Sequence, residues 1–168
     1  MIVILMGVTG AGKSAIGHAL AQATGWQFAD ADDFHSAANK AKMHAGIPLT
    51  DKDRAPWLEA LHAQIVQWVA SHADAILACS ALKESYRAEL TDGVPKDFIR
   101  WIYLTGPVEV IRQRLLARQG HYMSPLLLPS QLATLEPPRN AIQISITHTI
   151  AQIVQEIRSA LAAPAPGS

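Results

Sequence analysis

Two short stretches carry residues whose types and spacing suit chemistry. The first is "GVTGAGKS", Gly7 to Ser14, which fits G-x-x-x-x-G-K-[ST]. Its glycines let the chain curl so that backbone N–H groups converge as an anion nest at the start of a helix. The residues of that nest are Gly7, Val8, Thr9, Gly10, Ala11, Gly12, Lys13, Ser14 and Ala15. Lys13 would reach the terminal phosphates of a nucleotide as a point charge, and the Ser14 hydroxyl would ligate Mg²⁺. The second stretch is "DADDFH", with Asp30, Asp32, Asp33 and His35 inside six positions. In an extended chain, side chains two apart point the same way, so Asp30 and Asp32 would face one cleft. Like charges this close need a cation nearby, and Mg²⁺ with Lys13 would supply it. Asp30 would then stand in the outer shell of the metal, through water, and Asp32 would orient and deprotonate an attacking hydroxyl. Asp33 reads as a solvated turn or helix cap. His35 reads as a donor to a substrate hydroxyl or a support of the loop, since no Cys or second His stands at helical spacing to complete a zinc site.

Those groups need elements to hold them. Apolar, β-branched runs alternate with helical patterns along the whole chain. "IVILM" is a strand ending at Gly7, followed by a helix from Ser14 to about Ala23 that Gly25 closes. "WQFA" is a second strand, and "SAANKAKMHAG" a small exposed helix. Asp53 and Pro56 suit the start of a longer helix through Leu58, Leu61, Ile65 and Trp68. "AILAC", "FIRWIYL" and "IQISI" are further strands, "LKESYRAEL" and the segment after Pro107 are helices, and "IAQIVQEIRSALA" is the last helix. This alternation predicts an α/β fold: a five-stranded parallel sheet with helices on both faces. One domain over 1–163 is expected, with 164–168 a frayed tail. "ARQGHYMSPLLLPSQ", about 117–131, combines Gly and two Pro between regular elements and reads as a mobile flap. Trp57, Trp68 and Trp101 fall in patterns that place them in the core or an interface.

Composition narrows the partners. The 168 residues are 49% hydrophobic and 17% charged, enough apolar surface for one core. Formal net charge is zero, so no global field attracts nucleic acid or an acidic membrane. No run approaches the ~18 apolar residues of a membrane span, and the N-terminus lacks the marks of a signal peptide, so a cytoplasmic setting is expected. Cys79, the single cysteine, reads as a small buried hydrophobe.

Nucleoside triphosphate binding leaves three classes open: a small-molecule kinase, a hydrolase doing mechanical or switching work, and a nucleotide sensor without chemistry. Hydrolases with this loop usually carry an acid after the apolar third strand, where "AILACSALK" places Cys79 and Ser80 instead. Transfer to a small acceptor is favoured. For such transfer an arginine on the moving phosphoryl group is worth ~10³–10⁵ in rate, against ~10²–10⁴ for a general base. Arg118, at the entrance of the flap, is the first choice for that role and Arg114 the second, while Arg112 reads as solvated.

"GVTGAGKS", "ADADDFH", "NKAKMHAGIPLTDKDRAPWL", "CSALKESYR", "ARQGHYM" and "SQLATLEPP", in that order, resemble the gluconokinase family over about Leu5 to Pro138. The resemblance implies a P-loop NTPase fold of the nucleoside-monophosphate-kinase type with a lid, and ATP- and Mg²⁺-dependent phosphorylation of D-gluconate. A related kinase of another hydroxy acid or polyol, similar to the shikimate kinases, is the nearest alternative. Arg54 matches the position that holds the acid in both families, and Lys83 and Arg87 are further candidates beside Asp32 and His35. Paired subunits are common in the family, and "IVQWV" offers a dimer surface. Ser36 and Ser124 stand where the family often has proline, which should loosen a turn at each place.

Overall fold

The computed structural model describes residues 1–117 and 125–163. Its frame is a five-stranded sheet of β1 (Ile2–Met6), β2 (Gln27–Asp30), β3 (Ala75–Ala78), β4 (Ile99–Thr105) and β5 (Ile142–Ser145). The order is β2-β3-β1-β4-β5 with every neighbour pair parallel, as the alternation of patterns predicts. Seven helices are described: α1 (Lys13–Thr24), α2 (Ala37–His44), α3 (Asp51–Ala70), α4 (Glu84–Leu90), α5 (Val108–Ala117), α6 (Leu128–Thr134) and α7 (Ile150–Ala162).

β1 is central and wholly buried because both of its faces are covered. Val3 and Leu5 point into a core built with Ile16 and Leu20 of α1, Ile111 and Leu115 of α5, and Ile153 and Ile157 of α7. Ile2, Ile4 and Met6 point the other way, onto Leu58, Leu61, Ile65 and Trp68 of α3 and Leu90 of α4. The two-residue period of a strand thus feeds two cores at once. Loops leave the adjacent ends of β1 and β3 in opposite senses, one leading to β2 and the other to β4. Such a divergence opens a crevice at the carboxyl edge of the sheet.

Several expectations need correction. α3 begins earlier than Asp53: Thr50 is its N-cap, and Asp53 is the third helical residue, completing a reciprocal capping box. Pro56 lies inside the helix. The small helix α2 is not wholly exposed, because Asn39 and Met43 are buried. Ser36 does not loosen its turn; its hydroxyl accepts from Asn39 N at 3.1 Å and caps α2. The second half of the expected flap is packed structure, a 3₁₀ turn at Pro125–Leu127 running into α6. Leu127 is buried against Met43 and Leu49, and Leu128 enters the core around Val3 and Leu5. Pro129 falls in the first turn of α6, where a missing N–H costs nothing, so proline there marks a helix start rather than a loop. The rest of the flap, with Arg118, His121 and Ser124, lies outside the described residues, as does the tail 164–168. Trp68 is buried and donates to Gln27 Oε1, leaving Val66 as the apolar residue that "IVQWV" exposes. No helix among the described residues is long and apolar enough to cross a membrane.

Candidate active site

The phosphate loop follows β1 directly. Gly7 has φ +146°, and a Cβ placed there would stand 2.7 Å from the carbonyl oxygen of Leu104, so the turn admits no side chain. Gly12, at φ 95°, is the left-handed N-cap of α1. α2, α3 and α7 carry side-chain caps from Ser36, Thr50 and Thr149, whereas α1 has none and has no acid in its first turn. No carboxylate stands in the first turn of α1 to oppose an anion there. Lys13 arches back over the loop, its Nζ donating to the carbonyls of Gly7 at 3.0 Å and Val8 at 3.1 Å.

Across from the loop, Asp30 ends β2. Its carboxylate accepts from the Ser14 hydroxyl through one oxygen and from Asp32 N, at 3.0 Å, through the other. The chain beyond Asp30 is not extended, contrary to expectation: Ala31–Phe34 is a 3₁₀ turn that Asp30 caps. The turn separates the two carboxylates. Asp30 faces Ser14, and Asp32 lines a polar cavity of about 310 Å³. Asp33 is exposed, in keeping with a solvated turn.

His35, Arg54 and Lys83 line the same cavity as Asp32. His35 is buried and stacks on Trp57, with ring centroids 4.5 Å apart and planes 8° from parallel. Burial first, then the charges of Arg54 and Lys40, lower its pKa to about 4, so the ring is neutral near pH 7. Asn39 Nδ2 donates to the Asp53 carbonyl at 2.8 Å, which fixes the orientation of that amide. The same nitrogen lies 3.5 Å from His35 Nδ1, so Nδ1 must accept and Nε2 carries the proton.

Arg54 is held by the Leu49 carbonyl at 2.6 Å and the Tyr86 hydroxyl at 3.2 Å. Tyr86 Oη donates in turn to Asp51, which Lys83 meets at 3.0 Å. Both cations also lie over the Tyr86 ring, at 5.4 Å for Arg54 and 5.1 Å for Lys83. The bond from Tyr86, then that from Lys83, pulls the Asp51 pKa below its usual value. Two cations are thereby presented side by side, an arrangement that suits a carboxylate ligand.

Arg87 does not join them. It donates to the carbonyls of Ala81 at 2.9 Å and Leu82 at 3.1 Å and lines a separate cavity with Trp101 and Arg139. Ala81 has φ 44°, so Arg87 braces a strained turn. Arg114 donates to the Ile146 carbonyl at 2.5 Å, and Arg112 pairs with Glu109 on the surface. Cys79 is fully buried and burial pushes its thiol up to about 12, as a small core hydrophobe should behave.

Sequence reasoning missed Trp57 as a wall of the site and missed Asp51, Tyr86 and Gln131 altogether. A signal existed for two of them: Asp51 precedes Arg54 and Lys83 precedes Tyr86 by three residues, the spacing that joins side chains on one helix face. It also missed an apolar cavity of about 320 Å³ beside the phosphate loop, lined by Gly12, Ala15, Ile16, Arg114, Ile150 and Ile153.

The family model described as "AAA domain" matches residues 2–138. The probable gluconokinase of Mus musculus is 42% identical over 178 residues, covering 95% of this chain and 97% of its own. The thermosensitive gluconokinase of Escherichia coli (strain K12) is 40% identical over 164 residues, covering 95% and 87%. The crystal structure of a gluconokinase from Sinorhizobium meliloti 1021 superposes with TM-score 0.83 at 40% identity, covering 95% of this chain and 90% of that one. An APS kinase from Mycobacterium tuberculosis, at TM-score 0.68 and 18% identity, shares the fold. Identity of this order across nearly the full length of both partners is sustained only by common descent, and the chain belongs to the gluconokinase family.

Proposed function

We propose that the chain transfers the terminal phosphate of ATP to D-gluconate, giving 6-phospho-D-gluconate and ADP. The observation that carries this reading is the polar cavity that places Asp32 in the same space as Arg54 and Lys83, next to the phosphate loop. A sugar acid needs cations for its carboxylate and a base near its reacting hydroxyl, and one cavity holds both.

Amides of the loop from Gly7 to Ala15, apart from those of Gly7, Thr9 and Ala11, which Ser80, Gln131 and Val8 hold, grip the phosphates, and Lys13 leaves the Gly7 and Val8 carbonyls to bind them. The apolar cavity at Ala15, Ile16, Ile150 and Ile153 receives the nucleotide base, with Arg114 along its edge. Ser14 and Asp30 form an oxygen-only donor pair that fits Mg²⁺, which takes one or two protein ligands and fills the rest with phosphate and water. Bound there, the ion would neutralise phosphate charge. Arg54 and Lys83 hold the acceptor carboxylate, and His35 offers Nε2–H to a hydroxyl. Asp32 takes the proton from the attacking hydroxyl as the new oxygen–phosphorus bond forms and the bond to ADP breaks. Arg118 is assigned to the moving phosphoryl group.

The test is ADP release measured across a panel of sugar acids, polyols and shikimate. Gluconate-dependent turnover supports the reading. Turnover with another acceptor points to a sister kinase, and no acceptor-stimulated turnover points to a nucleotide sensor.

A further inference from the structure

Of the polar side chains in "SQLATLEPP" that the mechanism above leaves without a role, Gln131 and Glu136 tie the segment to the rest of the site. Gln131 reaches from α6 to the phosphate loop, where the Thr9 N–H donates to its Oε1 at 2.7 Å. Glu136 accepts from the N–H of Glu84, the first residue of α4, at 2.6 Å. The Glu136 N–H donates to the Leu82 carbonyl at 2.9 Å. One short segment is thus fastened to the phosphate loop at one end and to the turn carrying Lys83 at the other.

The orientation of Gln131 follows from hydrogen-bond logic. A backbone N–H only donates, so the atom facing Thr9 is the carboxamide oxygen, and Nε2 points elsewhere. Gln131 lines the acceptor cavity together with Asp32, His35, Arg54 and Lys83, and its side chain makes no further hydrogen bond among the described residues. A partly buried NH₂ that faces a polar cavity can donate to a ligand there. A polyol chain carries a row of acceptors.

We propose that Gln131 is an acceptor-binding residue that also positions the phosphate loop: Oε1 holds the Thr9 amide while Nε2 donates to a hydroxyl oxygen of the acceptor. This rests on the reading that the acceptor is gluconate. Through one rigid carboxamide, the site registers the acceptor against the loop that holds the phosphates, the kind of alignment on which transfer depends.

Two substitutions separate the halves of the carboxamide. Gln131→Met keeps length and helix propensity but removes both functions. Gln131→Glu keeps an oxygen for Thr9 and removes the NH₂ donor. Melting curves establish that each variant folds. KM for gluconate is then expected to rise about tenfold in both variants, with KM for ATP within about twofold of wild type in Gln131→Glu. Hydrogen exchange at the Thr9 amide is expected to accelerate in Gln131→Met and to stay slow in Gln131→Glu, a split that general loosening would not produce. An unchanged KM for gluconate in folded Gln131→Glu overturns the acceptor contact, and unchanged Thr9 exchange in Gln131→Met overturns the hold on the loop. Wild-type protein without gluconate-dependent turnover overturns the functional reading and the acceptor contact with it. Wild-type turnover with wild-type constants in both variants overturns the Gln131 assignment alone.

Discussion

The phosphate loop and the acceptor cavity lie side by side, yet they are built on different principles. The loop is one unbroken run, Gly7 to Ser14, whose proposed working groups are mostly backbone amides shaped by glycine, joined by the Lys13 and Ser14 side chains. The cavity draws side chains from four separated segments, around Asp32, Arg54, Lys83 and Gln131. A main-chain site tolerates change in most of its side chains and breaks when a Cβ is forced upon it. A side-chain site depends on each partner, and one substitution can redirect it. The nucleotide end of this enzyme is therefore expected to be rigid in evolution and the acceptor end adjustable.

The sharpest way to break that contrast is at Asp32. Asp32→Asn should lower kcat by ~10²–10⁴, while calorimetry finds nucleotide affinity nearly intact; a fully active variant would remove Asp32 from the role of base. Arg54→Ala comes next. Loss of a charge-assisted contact should raise KM for gluconate roughly 10–100-fold, with KM for ATP unmoved. Should KM for gluconate hold steady, another cation carries the carboxylate.

Smaller effects test whether the cavity's parts support one another. Tyr86→Phe removes the hydroxyl that joins Arg54 to Asp51, and a rise of about threefold to tenfold in KM for gluconate is expected. Arg87→Ala should leave that KM alone and lower the melting temperature, since Arg87 braces the carbonyls of Ala81 and Leu82. A large KM effect there would return Arg87 to the acceptor site.

The smallest effect is on stability against pH. His35 has a pKa of about 4 in the fold against an ordinary 6.5. Between those values the unfolded chain binds a proton that the folded chain refuses, so stability falls as pH drops. The contribution is complete above pH 6.5, is lost on descending through 4, and amounts to at most about 3 kcal/mol. Melting at pH 7 and pH 4.5 should differ in wild type and differ less in His35→Gln. Asp53, held at about 2 by Lys42 and Thr50, titrates below this window and does not confuse it.

Much of the frame was legible because local rules write it. β-branched runs separated by helical patterns predicted five parallel strands, and the order in the sheet obeys the two-sided burial of β1. The strand–loop–helix setting of the phosphate loop was legible, since its glycines act within one turn of chain. Asp30 and Asp32 do not adopt the extended geometry expected of them: Asp30 caps its own 3₁₀ turn and meets Ser14, while Asp32 lines the polar cavity. The second half of the expected flap is packed structure because Pro129 stands in the first turn of a helix, and Leu127 and Leu128 find buried partners that no local pattern reveals.

What the chain's order of residues determined by itself is the shape of the phosphate loop, because contiguous backbone with the right glycines has few other shapes to take. Only the tertiary structure decided which cations share the acceptor cavity, sending Arg54 and Lys83 to the Tyr86 ring and Arg87 to a strained turn. The physical reason is distance along the chain. Side chains from α3 and α4 meet only after both helices pack on the same face of the sheet, and no spacing in the sequence encodes that encounter.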